Sequence, residues 1–209
     1  MAKIKICGLF RDEDVGYVNE AGPDYAGFVF AGGRRGVDFK TARRLRQTLA
    51  AGIESVGVFV NAHVDEIAAL YSDGIIGIAQ LHGGEDEPYI ARLKERCDVR
   101  IIKTVLCPPH GKPVCGETAA DFLLFDSGCG SGKAFDWPAL GFTRETPPPR
   151  RWFLAGGINL GNIAAALSFK PFCIDVSSGT ESGGLKDRLK MMELVRMVRN
   201  AAETEQVRA

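Results

Sequence analysis

The 209-residue chain balances 26 lysines and arginines against 26 aspartates and glutamates, so no sequence-independent attraction to nucleic acid or to an anionic membrane is expected. Hydrophobic residues at 45% and charged ones at 25% are ordinary for a globular chain, and without a break in composition one domain over residues 1–209 is expected. The six cysteines, Cys7, Cys97, Cys107, Cys115, Cys129 and Cys173, form no C-x-x-C pair, which argues against a disulfide framework or a zinc site and for a reducing, cytoplasmic setting.

The first strand is expected over residues 4–7, with no charged-then-apolar leader before it, and no apolar run reaches bilayer length. Helical spacing follows over 14–21, then a strand over 25–30 and a helix over 41–50. The alternation continues with strand 55–60, helix 64–71, strand 76–81, helix 88–96, and strands 100–105 and 122–126. The stretches 108–120 and 138–151 lack helical spacing and are rich in proline, including Pro147-Pro148-Pro149, so the fifth and sixth helices are expected to be short, irregular or missing. Strand 152–155, helix 160–167, strand 173–176 and helix 186–202 complete the series. Strands alternating with helices imply parallel pairing through crossovers. Eight of them, starting roughly 20 to 30 residues apart, favour a single α/β domain built as a closed (β/α)₈ TIM barrel. An open doubly wound sheet would carry a glycine fingerprint in its first strand-to-helix turn, which here reads Cys7-Gly8-Leu9-Phe10-Arg11-Asp12.

Barrel enzymes draw their active sites from the C-terminal ends of the strands and the loops that follow. The seventh strand runs into Gly156-Gly157 and the eighth, through Asp175, into Ser177-Ser178-Gly179. Either pair alone could simply make a tight turn. Their joint occurrence at the two loops that hold phosphate in this fold points to a phosphate seat. No Gly-x-x-x-x-Gly-Lys-Ser segment is present, so the phosphate belongs to a small substrate and not to ATP.

Cys7 ends the first strand and Asp126 the sixth. In isolation Cys7 would read as a small buried hydrophobe and Asp126 as a turn former. At the catalytic rim, a thiolate facing a carboxylic acid makes a base and acid pair suited to proton transfer. A free thiol is only partly ionised at neutral pH, so the anion seat, loop dipoles and nearby cations must set its state. Arg35, with Arg34 as competitor, follows the second strand, where it could reach a substrate carboxylate. His82 and Lys103 lie near strand ends but read as packing or salt-bridge residues, and Asp136 reads as the cap of the sixth helix.

Taken together, Lys5-Ile6-Cys7-Gly8, Gly27-Phe28-Val29-Phe30, Val56-Gly57-Val58-Phe59-Val60-Asn61, Gln80-Leu81-His82-Gly83, Gly130-Ser131-Gly132-Lys133-Ala134-Phe135-Asp136-Trp137, Ala155-Gly156-Gly157-Ile158 and Asp175-Val176-Ser177-Ser178-Gly179 resemble the phosphoribosylanthranilate isomerase family of tryptophan biosynthesis from end to end. The resemblance implies a cofactor-free, metal-free Amadori rearrangement of a small phosphorylated substrate by a monomer or homodimer, with Asp126 as general acid on the furanose ring oxygen and Cys7 as general base at C2. It also implies that Arg35 holds the anthranilate carboxylate and that Gly156, Gly157, Ser177, Ser178 and Gly179 hold the phosphate. Asp175 is expected either to touch the sugar hydroxyls or to order the loop of Arg35. The chain departs from the family pattern where Gly33 stands two residues before Arg35 in place of a serine, in a loop one residue short. It departs again at Cys129, a position often held by glycine and here read as an oxidation liability. Two rivals are a metal-dependent pentose-phosphate epimerase, for which His63, His82 and His110 supply no matching ligand set, and a non-catalytic binding barrel.

Overall fold

A computed structural model describes residues 2–108, 113, 116–127, 137–141 and 151–207. Eight parallel strands close into a barrel in chain order: β1 (Lys3–Cys7), β2 (Tyr25–Val29), β3 (Glu54–Phe59), β4 (Ile78–Leu81), β5 (Arg100–Leu106), β6 (Phe122–Asp126), β7 (Trp152–Leu154) and β8 (Cys173–Val176). Closure comes from β8 pairing back on β1, with Lys5 opposite Asp175 and Ile6 opposite Val176. Crossovers are made by α1 (Asp12–Ala21), α2 (Phe39–Thr48), α3 (Val64–Ser72), α4 (Glu87–Arg96) and α5 (Ile163–Ser168), and α6 (Arg188–Val207) follows β8.

Local chemistry sets the helix starts. The Asp38 carboxylate accepts from Thr41 N at 2.7 Å at the head of α2, and Asp86 accepts from Tyr89 N at 2.9 Å at the head of α4, each satisfying an amide that the first turn leaves unpaired. Between β5 and β6 the described residues contain no helix, and between β6 and β7 they show only a 3-10 turn, Trp137–Leu140. The motif residues 130–136, with the Asp136 cap, lie outside the described residues, as do Cys115, Cys129, His110 and Pro147-Pro148-Pro149.

Two helix starts fall later than expected. The helix expected from residue 186 begins at Arg188, because Leu185–Lys186 pair antiparallel with Glu181–Ser182 across Gly183 and Gly184, both at positive φ. Asp187 then caps the helix, accepting from Leu189 N and Lys190 N. The helix expected over 160–167 begins at Ile163, because the side chains of Asn159 and Asn162 bond to nearby backbone groups instead: Asn159 Oδ1 accepts from Gly161 N, and Asn162 Nδ2 donates to Gly157 O.

Strand alternation divides the core in two. One set of side chains, including Tyr25, Val56, Ile78, Ile102, Phe122, Leu124, Phe153 and Cys173, fills the barrel itself. Phe153 forms an aromatic cluster there with Tyr25, Phe122 and Phe172. The other set packs outward onto the helices, with Met191, Leu194, Val195 and Val198 of α6 among its buried members. The same two-residue period puts Lys5 and Cys7 of β1, Gln80 of β4 with His82 beyond it, Asp126 of β6 and Asp175 of β8 on the inside, at the C-terminal end.

Candidate active site

A cavity of about 460 Å³ opens at the C-terminal ends of the strands, within the usual size range for small-molecule sites. Its lining includes Cys7, Arg34, Arg35, Gln80, His82, Asp126, Gly156, Gly157, Asp175, Ser177 and Ser178. Gly179 lies next to it, lining an adjoining hollow with Gly157, Ser178 and Lys190. The two glycine- and serine-rich loops touch: a Cβ on Gly179 would fall 2.0 Å from Ile158 O, so only glycine allows the loop after β8 to lie against the loop after β7.

Cys7 is buried, and burial pushes its thiol above the ordinary range, while the positive charges of Lys5 and Lys186 pull it back down. Lys5 is fully buried one inward step below Cys7 on β1, where its ammonium donates to Asp175 Oδ2 at 2.9 Å and to Gln80 Oε1 at 2.9 Å. A lysine with no water around it is tolerable only with such partners. The second Asp175 oxygen, Oδ1, is buried and makes no hydrogen bond among the described residues.

Asp126 lines the same cavity as Cys7, with Oδ2 3.6 Å from Nε2 of His82. Burial lowers the pKa of this imidazole, with the Asp126 charge opposing, so the ring favours its neutral form. His82, read from the sequence as a packing or salt-bridge residue, lines the cavity and faces Asp126. Its two-residue offset from Gln80 was the available signal. Lys103 does behave as a salt-bridge residue, donating to Glu85 and to Gly83 O.

Both arginines of the loop after β2 reach Glu181. Arg35 donates from Nε at 2.6 Å and from Nη2 at 3.1 Å, and Arg34 from Nη2 at 2.7 Å. The Arg35 side chain is 23% exposed against 48% for Arg34, and its stem lies over Gly8, where an added Cβ would come within 2.5 Å of Arg35 Cδ. Arg35 is thus the deeper and better fixed of the two. Lys186, fully buried, bonds Ser177 O and Thr180 Oγ1 at 2.9 Å and lies 3.3 Å from Glu181. Burial would raise the Glu181 pKa, but hydrogen bonds from Arg35 and Arg34 and the charge of Lys186 bring it down to about 2. The loop of Arg35 is therefore tied to Glu181, whereas Asp175 is tied to Lys5. Sequence reading passed over Glu181 because it lies beyond the end of β8, outside any strand-end position. Among the described residues no His, Cys, Asp and Glu cluster is placed to hold a metal ion.

The profile of the N-(5'phosphoribosyl)anthranilate (PRA) isomerase family matches residues 4–197. The N-(5'-phosphoribosyl)anthranilate isomerase of Endomicrobium trichonymphae is 51% identical over 206 residues, covering 96% of this chain and 100% of the relative. The crystal structure of phosphoribosyl anthranilate isomerase from Thermus thermophilus superposes with a TM-score of 0.82 at 29% identity, covering 95% of this chain and 99% of that one. Another solved phosphoribosyl anthranilate isomerase, in complex with reduced 1-(o-carboxyphenylamino)-1-deoxyribulose 5-phosphate, superposes at 0.77 with 29% identity, covering 96% and 100%. On the closed barrel, the cavity at its strand ends and these matches over nearly its whole length, the chain belongs to the N-(5'-phosphoribosyl)anthranilate isomerase family.

Proposed function

We propose that the protein converts N-(5'-phosphoribosyl)anthranilate to 1-(2-carboxyphenylamino)-1-deoxyribulose 5-phosphate in the cytoplasm, an intramolecular aldose-to-ketose oxidoreduction in tryptophan biosynthesis. The observation that carries the reading is that Cys7 and Asp126 line one cavity with the two loops after β7 and β8. Asp126 gives a proton to the furanose ring oxygen as the C1–O bond breaks, and the anilino nitrogen lone pair forms the C1=N Schiff-base cation. The Cys7 thiolate then takes the proton from C2, and the C–H electron pair becomes the C1=C2 bond of an enolamine as the nitrogen regains its pair. Tautomerisation moves the O2 proton to C1 and leaves a ketone at C2. Each positioned proton transfer is worth on the order of 10² to 10⁴ in rate. The thiol that burial disfavours as an anion is needed only while a Schiff-base cation lies beside it, where Lys5 and Lys186 already favour the thiolate. Because that cation acidifies the neighbouring C–H, the reading calls for neither metal nor cofactor.

In this reading Arg35 receives the anthranilate carboxylate, the backbone around Gly156, Gly157, Ser177, Ser178 and Gly179 receives the phosphate, and Asp175 Oδ1 accepts from a sugar hydroxyl. No described helix is long and apolar enough to cross a membrane. The test is the loss of phosphoribosylanthranilate fluorescence in the presence of purified protein and excess chelator. Full-rate loss is expected, while an unchanged signal, or one abolished by chelator, would overturn the proposal.

A further inference from the structure

Side chains from five strands form a line across the barrel interior, four of its members, Asp175, Gln80, His82 and Asp126, lining the cavity. Asp175 of β8 accepts from Lys5 of β1 at 2.9 Å, and Lys5 donates to Oε1 of Gln80 on β4 at 2.9 Å. Nε2 of Gln80 lies 3.1 Å from Nδ1 of His82, as does Thr104 Oγ1 of β5 at 3.2 Å. Nε2 of His82 then faces Asp126 of β6 at 3.6 Å.

The polarity of this line is fixed at one end. An ammonium has three donors and no acceptor, so the Gln80 atom turned to Lys5 must be the carbonyl oxygen. That choice leaves the amide NH₂ facing His82, and an NH₂ can only donate. Nδ1 must therefore be the acceptor, and a neutral ring has one other place for its proton.

We propose that Lys5 and Gln80 are positioning residues that hold His82 in the Nε2–H tautomer, presenting an N–H to the charge that grows on Asp126 as its proton passes to substrate. The proposal rests on the acid role given to Asp126 above. At 3.6 Å the N–H lies just beyond hydrogen-bond reach in the resting state, and it closes on Asp126 as the carboxylate forms. An interaction stronger in the transition state than in the ground state raises kcat and leaves substrate binding nearly untouched. The groups acting on the ring are the charged Lys5 from β1, Asp175 from β8 and Glu85 from the loop after β4, with the Asp126 carboxyl of β6 joining them as its proton leaves. The ring's burial keeps it neutral among them, which is the condition under which one tautomer can be selected.

The tautomer is read directly by two-bond ¹H–¹⁵N correlation spectra of the full chain labelled at histidine, with the His82→Gln protein used to assign the signal. The wild type is expected to show His82 protonated at Nε2 alone at neutral pH. Gln80→Glu keeps the size of the side chain but offers the ring an acceptor in place of a donor, so the proton should move to Nδ1 and leave Nε2 without one. Its kcat should fall on the order of ten- to a hundredfold, as for the loss of a hydrogen bond to a charged group, with KM within about threefold. A wild-type signal from Nδ1–H overturns the proposal, and so does a tautomer switch in Gln80→Glu with kcat unchanged. The wild-type spectrum needs neither turnover nor a variant, so it decides the lock even if Gln80→Glu does not fold. Normal turnover by Asp126→Asn would instead overturn the acid role, and with it the use made of the N–H.

Discussion

Replacing Glu181 by glutamine removes the one negative charge shared by Arg34, Arg35 and Lys186 without changing the shape of the side chain. The glutamate side chain is 6% exposed and Lys186 is fully buried, so the charge left behind cannot turn to water. Breaking a buried pair by deleting one partner costs roughly 3–5 kcal/mol. The pKa gives a second route to the magnitude: a fall from 4.5 to about 2 on folding, at 1.36 kcal/mol per unit, corresponds to about 3 kcal/mol. The two agree. The sign follows from the lowered folded-state pKa: this stabilisation is complete above the unfolded value of 4.5 and is lost as pH falls towards about 2. About 1 kcal/mol of it should have gone by pH 4 and about 2 kcal/mol by pH 3. Urea unfolding of wild type and Glu181→Gln, followed by circular dichroism from pH 7 down to the lowest pH at which both fold, measures the difference. It should be about 3 kcal/mol at pH 7 and shrink on acidification. A difference below about 1 kcal/mol, within the range of an exposed ion pair, or one that does not change with pH would refute the reasoning. Since Arg35 loses its anchor, KM should also rise by more than kcat falls.

Three further outcomes follow from the same geometry. Alkylation of Cys7 by iodoacetamide, read by peptide mass spectrometry, should rise with pH and reach its midpoint above that of free cysteine, because burial outweighs the nearby ammonium groups; a midpoint below free cysteine would contradict this. Phe153→Ala empties the aromatic cluster in the barrel and should cost roughly 3–5 kcal/mol in urea unfolding, with a cost under about 1 kcal/mol contradicting the packing. Gly8→Ala forces a side chain at φ 82 against the Arg35 stem, so KM should rise severalfold or more with kcat less affected, and an unchanged KM would contradict that contact.

Much of the barrel was legible because its signal is local. Short β-branched runs alternate with 3.6-periodic stretches, and the eight strands fall where those runs lie, apart from shifts of one or two residues at their ends. The expected start of the last helix at 186 failed because the Gly183-Gly184 hairpin and the Asp187 cap override a pattern that looks helical. The glycine- and serine-rich loops expected side by side at the ends of the seventh and eighth strands do meet, Gly179 lying against Ile158. The polar line along the cavity was far less visible. Lys5 and Asp175 are 170 residues apart and Lys5 and Gln80 are 75 apart. Only closure of β8 on β1 makes them neighbours, so no local pattern announces that a buried lysine has two partners waiting. His82 read as bland for the same reason: its meaning comes from Asp126 on another strand.

The proposed chemistry needs two proton-transfer groups, one on β1 and one on β6, working in the same cavity. Steady-state turnover of Cys7→Ser and of Asp126→Asn, alongside calorimetric binding of the reduced product analogue, tests that most directly. Each variant is expected to bind the analogue within a few-fold of wild type while kcat drops by roughly 10² or more. Turnover within tenfold of wild type in either would contradict the assignment.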